Sequence, residues 1–178
     1  MAKALLISRN DVVKFTSVNG NVDVDKFIQY VSIAQDIHIQ GMLGTRLLEK
    51  IQADIIAGTL ADPYLSLLTT YIKPCLIHAS MLEYLPFAAI TIGNQGVYKK
   101  GAENSETVSK DEIDFLIEQE RKTYDHYKER FIDYICQNST LFPEYNANTG
   151  ADMNSNTYNN FAGWVLWSTN QKQKTLNV

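Results

Sequence analysis

The sequence predicts an all-α fold: a compact bundle of about five or six helices, a projecting loop or β-hairpin, and an extended C-terminal arm. Three observations predict it. Apolar residues recur at three- and four-residue steps through most of residues 1–145, the spacing that lines one face of a helix. Helix-start and helix-stop signals punctuate that pattern at short intervals. Beyond residue 145 the pattern ends, and Asn, Thr, Ser and Gln surround a few large anchors: Tyr158, Phe161, Trp164, Val165, Leu166 and Trp167.

Ser8 with Asp11 predicts a short helix over 9–14, capped by the serine hydroxyl and favoured by a carboxylate at its positive end. Asn19-Gly20-Asn21 breaks the chain. Asp23 or Asp25 opens a second helix with Phe27, Tyr30, Val31, Ala34, Ile37 and His38 along its inward face. Gly41 and Gly44 bracket the next turn. Thr45 is placed to cap a third helix over 46–57, with Leu47, Leu48, Ile51 and Ile55 inward and Gly58 as its stop. Asp62-Pro63 pairs a capping acid with a proline at the first helical position. That helix runs to the region of Ile72, where Pro74 either kinks it or starts a successor reaching Ala89. Leu76, Ile77, Ser80, Met81, Tyr84 and Leu85 face inward there, and Pro86 bends the last turn.

Residues 91–108 change character. Gly93-Asn94 and Gln95-Gly96 sit among Ile92, Val97 and Tyr98, a hairpin signal, and a polar, turn-rich stretch comes after them. Ser109 and Glu112 then form a capping box. The longest helix runs from Lys110 to the region of Asn138, with Ile113, Leu116, Ile117, Tyr124, Tyr127, Phe131, Tyr134 and Ile135 as its stripe. Phe142-Pro143-Glu144-Tyr145 closes a body of residues 1–145. Residues 146–178 form the arm. It has too little apolar surface to offset the entropy of ordering itself, yet holds both tryptophans of the protein. Aromatic anchors of this kind dominate docking energies.

The composition narrows the function classes. An apolar fraction of 45% supplies a core, and a net charge of −4 with no Lys/Arg block argues against a protein that coats nucleic acid. Two distant cysteines, Cys75 and Cys136, are expected as buried free thiols rather than a disulfide framework. No stretch reaches the ~20 apolar residues of a membrane span, and the first ten residues are too short a run for a signal peptide. The chain is expected to be made in a reducing cytoplasm.

Catalytic and metal signals are sparse. His38, His78 and His126 lack the paired spacing of a zinc helix. Cys75 and His78 lie one turn apart, short of the ligand count that a metal needs. Asp111, Glu112, Asp114, Glu118 and Glu120 make the start of the long helix acidic, which reads as a solvated or partner-facing surface, with Glu120 near enough to the stripe to pair with a base. Gly93, Gly96 and Gly101 with Lys99 and Lys100 lack the order of a phosphate loop. No cofactor, metal or enzymatic activity is expected.

Several short motifs, taken in order, resemble the small head–tail connector proteins of tailed phages of gut Bacteroidales, including the crAss-like phages. They are Leu5-Leu6-Ile7-Ser8-Arg9-Asn10-Asp11-Val12, Ala34-Gln35-Asp36, Gly41-Met42-Leu43-Gly44-Thr45 and Pro63-Tyr64-Leu65-Ser66-Leu67-Leu68. Tyr71-Ile72-Lys73-Pro74, Ile92-Gly93-Asn94-Gln95-Gly96-Val97 and Phe142-Pro143-Glu144-Tyr145 complete the series. The likeness covers residues 5–145 and leaves out the arm. It implies a structural virion protein at the head–tail junction: a homo-oligomeric ring, dodecameric to match the portal, through which double-stranded DNA passes without sequence-specific contact. Its partners would be itself, the portal protein and other tail or ring proteins, with no membrane. The expected contact elements are the loop (Ile92, Gly93, Gly96, Val97, Tyr98) and the arm (Tyr158, Phe161, Trp164, Val165, Trp167). Asp111, Asp114, Glu118 and Glu120 are candidate lumen or interface charges. The alternatives are an intracellular helical scaffold or regulator binding one partner through the arm, and an enzyme built on Cys75, His78 and the acidic helix.

Overall fold

Helix α1 (Arg9–Phe15) begins at a reciprocal capping box. The Ser8 hydroxyl accepts the Asp11 N–H, and the Asp11 carboxylate accepts the Ser8 N–H at 2.9 Å. The computed structural model describes residues 3–18, 24–88, 90–93, 96–99, 109–147 and 152–155.

Helix α2 (Val24–Ala34) passes through a π turn (Gln35–Ile39) into α3 (Gln40–Leu43), with helical dihedrals on both sides of the turn. A π turn adds one residue and rotates the downstream helix by about 100°. Phe27, Val31 and Ala34, upstream of it, are buried as the spacing predicts. Within it the prediction fails: Ile37 is 61% exposed, and Ile39 is buried in its place. Gly44 alone makes the next turn, at φ 76, a backbone conformation that side chains rarely adopt. Gly41, expected to share that turn, is buried inside α3. Helix α4 (Thr45–Ala57) therefore starts at Thr45 itself, which caps nothing, and ends at Gly58 in a left-handed cap.

Helix α5 (Tyr64–Leu67) joins α6 (Lys73–Ala88) through a second π turn (Leu68–Ile72). The Asp62 carboxylate accepts the Ser66 N–H at 3.1 Å and its hydroxyl at 2.5 Å. Pro74 comes directly after the π turn. A proline ring has no N–H and crowds the carbonyl one turn back. The wider turn, closed by the Lys73 N–H on the Leu68 carbonyl, takes up that mismatch and leads into α6 at Lys73. The helix also continues through Pro86 to Ala88.

Strands β1 (Ile90–Gly93) and β2 (Gly96–Lys99) form the antiparallel hairpin, with Ile92 opposite Val97 and Gly93 opposite Gly96. Helix α7 (Lys110–Gln137) starts at the Ser109–Glu112 capping box. A 3-10 turn (Ser139–Leu141) and α8 (Pro143–Asn146) complete the body. With the π turns splicing two pairs of segments, the described residues form six continuous helical elements, an all-α bundle with one hairpin.

Helix α6 is central, packed against α1, α2 and α7. It runs antiparallel to α7: Tyr71, entering it, stacks on Tyr134 at 3.9 Å, while His78 bonds Glu120 further up. Leu43, Leu47, Ile51, Ile72, Leu76, Phe131, Ile135 and Phe142 are fully buried. The segment ahead of α1 is held by two side-chain amides. Buried Gln35 accepts the Leu6 N–H at 3.0 Å and donates to the Ala4 carbonyl at 3.1 Å, and Gln52 donates to the same carbonyl at 3.2 Å. Gln35 thereby pairs the backbone as a neighbouring strand would.

Candidate functional site

Because α6 and α7 are antiparallel, the C-terminal end of α6, the hairpin and the start of α7 share one end of the bundle. The capping box fixes the first turn of α7 there. The Glu112 carboxylate accepts from the Ser109 N–H at 2.8 Å and hydroxyl at 2.9 Å, and these bonds hold its pKa below the ordinary value. No residue between Lys110 and Glu120 is buried. Phe115 is 59% exposed and Leu116 48%, and Phe87 on α6 is also exposed. Leu116, expected in the inward stripe, faces out, while Ile117 beside it packs against the core and Glu120 bonds α6. Asp111, Glu112, Phe115 and Leu116 line an open groove of about 500 Å³.

The acidic residues divide. Asp111, Asp114 and Glu118 are exposed, and Glu118 pairs with Lys122 one turn on, at 3.3 Å. Glu120 turns inward and takes His78 Nδ1 at 2.6 Å, while Tyr127 stacks on that imidazole. Glu120 thus ties α6 to α7, the pairing with a base that its place near the stripe suggested.

A second tie joins three elements. His38 Nε2 lies 2.9 Å from Glu83 on α6, and its Nδ1 lies 3.1 Å from the Tyr124 hydroxyl on α7. The carboxylate can only accept, so Nε2 donates to Glu83, and the Tyr124 hydroxyl, which can donate or accept, pairs with Nδ1. A hydroxyl, an imidazole and a carboxylate in series form the connectivity of a nucleophilic relay. The hydroxyl moves the wrong way for that chemistry: burial pushes the Tyr124 pKa up, with Cys75 and Asp125 adding to it. Burial likewise pushes the Cys75 thiol up to about 12, leaving it in its unreactive form. Cys136, expected to be buried, is exposed. Among the described residues no cluster of three His, Cys, Asp or Glu could hold a metal ion, and no helix is long and apolar enough to cross a membrane.

The opposite end of the bundle is closed by α8. Tyr64 donates to Glu144 at 2.6 Å, and burial with that bond raises the Tyr64 pKa to about 12. Residues 152–155 lie against this end. Thr45 donates its N–H to the Met153 carbonyl at 2.9 Å and accepts the Met153 N–H on its hydroxyl at 3.0 Å. Gln40 reaches Asp152 at 3.3 Å, and Ser155 bonds Tyr145. The chain counted as arm thus begins on the body.

Of the expected contact residues, Ile92, Gly93, Gly96, Val97 and Tyr98 lie in the hairpin. Tyr158, Phe161, Trp164, Val165 and Trp167 lie outside the described residues. Sequence reasoning missed Gln35, Gln52, Thr45 and Gln40, whose partners are far along the chain and leave no periodic signal.

Residues 39–155, about two-thirds of the chain, match the model of a family of unknown function, DUF6712. The match ends where the Asp152–Ser155 clasp ends. No curated protein and no solved structure matches.

Proposed function

The chain belongs to the family DUF6712, whose function is unknown, and we propose that it is a structural virion protein of a tailed phage, a head–tail connector that forms a ring below the portal. The placement of its contact elements supports this most. The hairpin and the exposed start of α7 lie at one end of the bundle, and residues 152–155 lie at the other end, beside Thr45 and Tyr145. Contacts made from opposite ends of a subunit are heterologous, and a heterologous contact that closes on itself makes a ring. Ring closure also multiplies weak contacts, since the later ones form at high effective concentration.

The remaining features fit the same role. The bundle is stiffened by long-range side-chain ties, as a load-transmitting ring requires. The acidic start of α7 would not grip DNA passing through a lumen. A dodecamer matched to the portal, docking on the portal and the next tail component, is the assembly proposed, located in the virion after synthesis in the bacterial cytoplasm.

Negative-stain electron microscopy of the purified protein, with light-scattering mass, tests it. Closed rings, alone or after adding a portal protein, are the expected result. A one-to-one complex with a single partner and no ring under any condition would instead assign a helical regulator.

A further inference from the structure

Helix α4 has no capping side chain of its own. The turn ahead of it places Gly44 at φ 76 and ψ 158, where side chains are disfavoured. A glycine there has nothing to offer the free N–H groups of a helix start. A group from far along the chain takes that place: the Thr45 N–H, first in α4, donates to the Met153 carbonyl at 2.9 Å. We infer that residues 152–155 are a strap built into the fold. They cap α4 from 108 positions away, close the body at Ser155 and fix the point from which residues 156–178 begin.

Bonds at three places carry the inference. The Met153 N–H returns to the Thr45 hydroxyl at 3.0 Å, so one residue of the strap both accepts from Thr45 and donates to it. Gln40 joins the two sides, its amide donating to the Thr45 hydroxyl at 3.0 Å and to the Asp152 carboxylate at 3.3 Å. That carboxylate, the last acidic side chain of the sequence, is thereby held beside the start of α4, where the helix dipole favours negative charge. Ser155 bonds Tyr145, a buried residue of α8.

Chain length and family extent agree with the strap. Only four residues, 148–151, separate Ala147 from Asp152, so seating the strap on the body closes a short loop at small entropic cost. The family model spans residues 39–155. It takes in both sides of the strap, Gln40 and Thr45 on one and Asp152 to Ser155 on the other, and stops before the segment that holds the tryptophans. A partner that takes hold of residues 156–178 is therefore coupled to the turn at Gly44, and to Leu43, Leu47 and Leu48 buried on either side of it. The strap would serve a ring subunit and a monomeric regulator alike, so its test is independent of the assembly.

Hydrogen exchange of individual amides, followed by NMR on the full chain, tests the strap. The Thr45 and Met153 amides are expected to exchange about tenfold or more slowly than in an unstructured chain, the scale of the bonds that hold them. Thr45→Val removes the hydroxyl and should speed exchange at Met153 about fivefold, with exchange at Phe131 unchanged. Thr45→Ser keeps the hydroxyl and should restore the native rate. Free exchange of both amides in the native chain would overturn the inference. So would an unmoved Met153 rate in Thr45→Val. A rise matched at Phe131 would overturn it too, because Thr45 would then support the core as a whole and not the strap.

Discussion

The two halves of α7 share one helix and opposite fates. From Arg121 onward Tyr124, Phe131 and Ile135 are buried against the bundle, and Tyr134 stacks on Tyr71. From Lys110 to Glu120 nothing is buried, and Phe115 and Leu116 stand in solvent. The second half is held by packing, the first by its cap, by Ile117 and Glu120 against the bundle, and by its covalent continuation into the second. A helix end with less tertiary support has lower local stability. Apolar character alone did not separate buried from exposed positions here; which face of α7 meets the bundle did.

The widest gap between the halves should appear on truncating one aromatic in each. Phe131→Ala is expected to cost about 3–5 kcal/mol in urea denaturation, and Phe115→Ala to stay within about 0.5 kcal/mol. Equal losses would mean that the first half is also packed.

Alkaline pH tests the packed half next. Burial raises the Cys75 pKa from 9.0 to about 12, and that of Tyr64, across the bundle, from 10.0 to about 12. Below pH 9 both groups are protonated in folded and unfolded chains, and their contribution to stability is fully present. As pH rises from 9 to about 12, the unfolded chain loses protons that the folded one keeps, so stability falls. The urea midpoint should decline across that window, and in Cys75→Ala the decline should begin nearer pH 10.

Glu120→Ala, at the boundary between the halves, removes the partner of His78 and should cost about 1.5 kcal/mol, since both side chains are mostly buried. A negligible loss would move the boundary further along the helix. A smaller loss is expected from Ser109→Ala, about 1 kcal/mol. It should raise amide exchange in the first turn of α7 and leave exchange at Phe131 unchanged.

Much of the fold is legible in the sequence because its signals are local. Ser8 with Asp11 and Ser109 with Glu112 close their capping boxes within one turn. Gly58 stops α4 by a backbone conformation that it adopts easily. Gly93 and Gly96 pair with each other in the hairpin that the turn signal there suggests. Each depends on neighbours a few residues away. The misplaced residues have a different origin. Ile37 falls on the inward face of an α-helical period that a π turn interrupts. Thr45 has the chemistry of a cap and instead bonds Met153. Leu116 fits the stripe but lies off the face that meets the bundle, where Ile117 packs.

By itself, then, the sequence determined the helices, most of their ends, the hairpin and the acidic start of α7, because caps, turns and amphipathic spacing act over a few residues. Only the tertiary structure decided which apolar faces are covered, where π turns shift the register, and which long-range partners join: Gln35 with the Ala4–Leu6 backbone, His38 with Glu83 and Tyr124, His78 with Glu120. These pairs lie tens of residues apart. Their formation depends on how whole helices pack, and a buried polar group must find its partner wherever the packed chain brings one.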